Sequence, residues 1–239
     1  MSWGAVGDLA INLIAAIIGF SVARLQAWLQ FLRRSRNARR FMRGECNVVL
    51  SAFTDSNFRA WERSGLVGAG DVKALVVLER KLFSIREQEF ALKHAPALQG
   101  HEVAGNLVLL GGPDANRWTA AVMERVALGV GVEPGTITFV DKVSSRRFYP
   151  HHGREAGSGS DAGVVVKVRS PFNSQSLVLV LAGGFGEGKQ AAAELVCSPK
   201  FEDHPVIRSG ADFELLFTVD IIGGVPQEPE VQFIREITS

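Results

Sequence analysis

Apolar and polar positions divide this chain into two unlike parts. Near the start, Leu9 to Ala23 forms an apolar run. Leu25, Ala27, Trp28, Leu29, Phe31 and Leu32 prolong it into a block of seven arginines, Arg24, Arg33, Arg34, Arg36, Arg39, Arg40 and Arg43. Such a run followed by arginines predicts a transmembrane helix within residues 1–32, with Trp3 and Trp28 near the interfaces and a basic juxtamembrane linker over 33–46. The retained positive charge places Met1 outside and the remainder, 47–239, in the cytosol, with a bilayer contact through 5–32. Anionic lipid headgroups then face the Arg33–Arg43 block. Asp8, Asn12, Arg24 and Gln26 interrupt the run, so a helix lying on the membrane surface is the rival reading. A signal peptide cut after Ser21-Val22-Ala23 is opposed by the arginines, which follow the apolar run instead of preceding it.

The body shows short apolar runs separated by glycine-rich turns and amphipathic stretches. Asn47 to Phe53, Asn106 to Leu110, Thr136 to Val140, Gly163 to Val168, Leu177 to Ala182, Phe213 to Ile222 and Glu230 to Ile237 read as strands. Val72 to Ser84, Glu87 to His94, Arg117 to Leu128 and Lys189 to Val196 read as helices, and Ser144 to Asp161 as a flexible surface loop. Strands without polar alternation, interleaved with helices, predict an α/β, Rossmann-like domain. Its sheet would be mostly parallel, with helices on both faces and a C-terminal hairpin.

Charge and cysteine content narrow the function. The whole chain carries +1, but residues 44–239 hold 19 basic and 24 acidic side chains. An acidic body argues against a nucleic-acid partner. Cys46 and Cys197 are too few for a disulfide framework and lack metal-ligand spacing.

Candidate chemistry lies in three glycine loops, each between a strand and a helix, where an open α/β sheet binds ligands at the carboxyl ends of its strands. Gly65, Gly68, Gly70 and Asp71 form the first, Gly111, Gly112, Asp114 and Asn116 the second, and Gly183, Gly184, Gly186, Gly188 and Lys189 the third. Glycines let a backbone approach phosphate, and the following helix start favours negative charge. On this reading Asp114 and Asn116 contact sugar or base, Gly184 to Lys189 hold phosphate, and Lys189→Ala weakens binding without unfolding the domain. The alternative is that each loop is only a tight turn. Gly183, Gly188 and Lys189 satisfy GxxxxGK, but Gln190 stands where a P-loop needs a metal-binding hydroxyl, which argues against ATP hydrolysis.

The third loop resembles the GGxGTxxE segment of nucleotide-binding proteins related to the cytokinin-activating phosphoribohydrolases: Gly183, Gly184 and Gly186 match. Glu187 replaces the threonine and Gln190 the catalytic glutamate. That likeness implies a phosphate cradle without the hydrolytic acid. SGLVGAGD (64–71), LVLLGGPDAN (107–116), DAGVVVKVRSPFN (161–173) and LVLVLAGGFGEGKQAAAE (177–194) together resemble a poorly characterised prokaryotic family of membrane-anchored Rossmann-like proteins. The GGPxAN and AGxxxxGxxAAA elements are also similar to domains of archaeal surface-layer proteins. The resemblance implies a sensor or effector beside the membrane, in prokaryotic conflict or signalling systems.

His151 and His152 are adjacent without a cysteine to complete a zinc set, and no GxSxG elbow is present. The leading expectation is therefore a membrane-anchored cytosolic sensor binding a nucleotide or related phosphate ligand, with no cofactor, no metal and no catalytic residue. A nucleoside or NAD glycosidic-bond hydrolase using Glu124 or Glu194 is the enzymatic alternative, and a membrane-tethered, self-associating assembly module the structural one.

Overall fold

The computed structural model describes residues 19–26, 46–53, 66–80, 90–155 and 157–237. The chain divides into two units, Met1–Arg39 and Arg40–Ser239.

In the first unit, residues 19–26 are helical and exposed. Among the described residues no helix is long and apolar enough to cross a membrane. This corrects the expected transmembrane helix and the single-pass placement that followed from it. The rest of the 5–32 segment and the Arg33–Arg43 block lie outside the described residues.

The second unit is built on one large sheet. Its strands are β1 (Cys46–Leu50), β2 (Phe90–His94), β3 (Asn106–Leu110), β7 (His151–His152), β8 (Gly159–Ser170), β9 (Asn173–Gly183), β10 (Phe213–Ile222), β11 (Val225–Pro226) and β12 (Glu230–Glu236). The order is β11-β10-β8-β9-β3-β1-β2, with β12 also on β10 and β7 on β8. Strands β2, β1, β3 and β9 run parallel. From β9 onward every pairing is antiparallel. The sheet is thus mixed, which corrects the mostly parallel Rossmann-like expectation. The reason is the junction after β8: two residues, Pro171 and Phe172, lead straight into β9, and so short a link joins only antiparallel neighbours. Runs such as Val164 to Val168 are buried on both faces, and that burial looks the same in either orientation.

The main helices are α1 (Ala69–Leu78), α3 (Arg117–Arg125) and α4 (Gly186–Val196); α2 (Gly100–Val103), α5 (Pro199–Asp203) and α6 (Pro205–Ser209) are single turns. Alternate residues of each strand face opposite ways. Val49, Leu107, Leu109, Val164, Val166 and Val180 share a core with Val122 of α3 and with a small antiparallel sheet of β4 (Val130–Val132), β5 (Phe139–Asp141) and β6 (Arg146–Phe148). The opposite face carries α4, which lies along β8 and β9 and packs against α1. Arg235 of β12 ties the two sheets by pairing with Asp141 at 2.6 Å and with Glu214, whose other oxygen accepts the Val130 N–H at 3.0 Å.

Two local expectations change. The stretch 87–94, expected to be helical, carries the edge strand β2 at 90–94; residues 87–89 lie outside the described residues. The expected loop at 144–161 holds β6, β7 and the start of β8.

Candidate functional site

The first and third loops meet at a crossing of two helix starts. Gly68 is the N-cap of α1 and supplies no side-chain cap. Gly70 lies against Gly186, so close that a methyl group on Gly70 would run into the Gly186 backbone. The next residue, Asp71, is fully buried. One carboxylate oxygen accepts the Ser51 N–H at 2.8 Å and the Ser51 hydroxyl; the other accepts the Lys189 ammonium. Lys189 is itself only 6% exposed, and its Nζ lies 5.7 Å from the centre of the Phe53 ring. Asp71 therefore clamps the end of β1, α1 and α4 together, and Lys189 is its counter-ion.

Beneath the third loop sits a residue that the sequence reading passed over. Asp161, 1% exposed, accepts N–H bonds from Gly184 (3.0 Å), Phe185 (2.8 Å), Gly188 (2.7 Å) and Ala162 (2.7 Å). Burial pushes its carboxyl above the ordinary aspartate range, against the pull of these four donors. The carboxylate occupies the place at the N-terminus of α4 where a phosphate would lie. Antiparallel register brings it there, because Gly163 of β8 pairs with Gly183 at the end of β9. Pro150 packs on Gly184, and the His152 ring stacks on Phe185 at 4.2 Å between centroids. The sequence signal was an acid heading an apolar strand, Asp161 before Ala162 to Val168; its partner loop lies more than 20 residues further on.

The second loop is largely a structural turn. Gly111 has φ +100° and presses on the Ser51 side chain, and its carbonyl accepts the Thr119 hydroxyl at 3.0 Å. Asn116, fully buried, caps α3 by accepting the Trp118 N–H at 3.1 Å. Its amide donates to Leu110 O at 3.0 Å and Val49 O at 3.3 Å, so it pins the ends of β3 and β1. No sugar-binding valence remains accessible on it. Asp114 is exposed, and Gly112 faces open space.

These three loops line one cleft of about 470 Å³ at the carboxyl ends of the parallel strands. Gly68, Gly70, Gly112, Asp114, Gly183, Gly184, Gly186 and Lys189 of the expected set contribute to its walls; Asp71, Gly111, Asn116 and Gly188 are withdrawn into the structure around it. The sequence reading missed Phe53, Lys73, Phe185 and Glu187, and also Thr136 and Ile137 from the turn of the small sheet, all of which line the cleft. Glu124 and Glu194 do not; Glu194, near the C-terminal end of α4, accepts from Gln190 at 3.0 Å. Among the described residues no cluster of His, Cys, Asp and Glu could hold a metal ion. Cys46 is buried, which pushes its thiol up to about 12 and leaves it unreactive at neutral pH.

Nothing in the structure supports the nucleotide-binding and signalling expectation: the amides meant for phosphate serve Asp161, and the lysine meant for it serves Asp71. No protein-family model matches the chain, and no curated protein matches it.

Proposed function

We propose that the second unit is a small-molecule-binding domain without hydrolytic chemistry, and that its ligand sits in the three-loop cleft, above the glycine loop and outside it. The convergence of all three loops on one cleft of about 470 Å³ carries this reading, since that volume suits a compact organic molecule. The absence of Glu124 and Glu194 from the lining favours binding over glycosidic-bond cleavage. Tight side-chain clamping below the loops gives the cleft a rigid floor, so binding needs little ordering of the protein.

Gly112 supplies the test. It lines the cleft, and a Cβ added there meets nothing within 4 Å, so a larger side chain can grow outward into the cleft. Gly112→Trp should fill the cleft and leave the melting temperature unchanged. The full chain is equilibrated with a metabolite mixture, separated by gel filtration, and its retained molecules identified by mass spectrometry. A molecule held by the parent chain and lost from Gly112→Trp supports the proposal. Retention of nothing by the parent chain, or equal retention by both, overturns it.

A further inference from the structure

The side chains facing this cleft bear on its ligand class, an inference that rests on the small-molecule reading above. Three phenylalanines line it: Phe53, 46% exposed, Phe185, whose ring is backed by His152, and the buried Phe139. Ile137, 39% exposed, adds an exposed aliphatic surface. Exposed aromatic and aliphatic groups gathered in one concave site suit a planar ring, which buries area at small entropic cost.

Charge then separates one kind of ring from another. Lys189 is neutralised by Asp71. Among the described residues, Lys73 is left to face two carboxylates, Asp114 and Glu187, and none of the three has an ion-pair partner. The uncapped start of α1 adds roughly half a positive charge. The start of α4, which would add as much again, is already answered by the buried carboxylate of Asp161. Among the described residues the balance is negative by about half a charge, so a polyanion entering the cleft meets more repulsion than attraction.

We infer that the cleft accepts an uncharged or cationic aromatic heterocycle held between Phe53, Ile137 and Phe185, and that Asp114 and Glu187 turn away anionic versions of the same ring. The ring supplies contact area; the two carboxylates supply discrimination.

The test uses matched pairs that share a ring and differ in charge: nicotinamide against nicotinate, tryptamine against indole-3-acetate, and adenosine against AMP. Binding to the full chain is followed by ligand-observed NMR, with Gly112→Trp as the blocked control. The uncharged or cationic member of each pair should bind at least about tenfold more tightly. Asp114→Asn combined with Glu187→Gln should erase that preference, since among the described residues neither carboxylate makes a hydrogen bond or ion pair. Phe53→Ala should weaken both members of a pair equally. If the anionic members bind as tightly as their partners and Gly112→Trp blocks them, the ligand class is wrong while the cleft stands. If no member binds, or if Gly112→Trp leaves binding intact, both the class and the cleft reading fail.

Discussion

Asp71 and Asp161 are both buried carboxylates at the foot of glycine loops, yet the molecule compensates them differently. Asp71 is answered by an ammonium and a serine; Asp161 is answered by backbone amides alone. The first arrangement joins residues 118 positions apart through side chains, and either partner can be replaced. The second draws its donors from the main chain, and no substitution other than proline can remove them. A charge met by a charge is a removable pair, whereas a charge met by amides is part of the loop's own geometry.

Removing Lys189 breaks the comparison most severely. Lys189→Met leaves Asp71 buried without its counter-ion and should cost about 3–5 kcal/mol in urea unfolding. This reverses the expectation from sequence that losing Lys189 spares the fold. Adding Asp71→Asn should restore most of the loss, because the pair then disappears together; an additive cost would refute the pairing. Asp161→Asn comes next, at about 3 kcal/mol, as its new amide points N–H groups at the N–H donors of Phe185 and Gly188. No second-site side-chain change should rescue it.

The smallest effect is one of pH. The folded state holds Asp161's proton more tightly than the unfolded chain does, because burial raises its carboxyl. Its contribution is therefore fully present below the ordinary aspartate value and is lost as pH rises through the raised one. Unfolding free energies of the parent chain and Asp161→Asn, measured across that interval, should converge with rising pH. Parallel curves would show that the four amides balance the burial completely.

How much of this could be read beforehand depends on distance along the chain. The glycine loops and their neighbouring strands are local features, carried by Gly68 to Asp71, Gly111 to Asn116 and Gly183 to Lys189. Their division of labour is not local. Asn116 has the residue type of both a ligand contact and a helix cap, and only the positions of Val49 O and Leu110 O decide for the cap. Asp161 was concealed because the β8–β9 register, set by one hairpin, places it beneath a loop distant in sequence. That hairpin also defeated the reading of a parallel sheet, since burial on both faces erases the alternation that would mark strand direction. Strand β2, FALKH, is half exposed and follows a charged stretch, so its composition resembles a helix as much as an edge strand.

The strand order also has a consequence for synthesis. Strand β3 ends at Leu110, but its parallel neighbour β9 is complete only at Gly183. At about 5–20 residues per second, the nascent chain presents an unpaired, largely apolar β3 edge for roughly 4–15 s. Until β9 emerges, β1, β2 and β3 form a sheet fragment whose open side matches any extended apolar strand nearby. The newborn chain is thus most exposed to mispairing while residues 111–183 are being made.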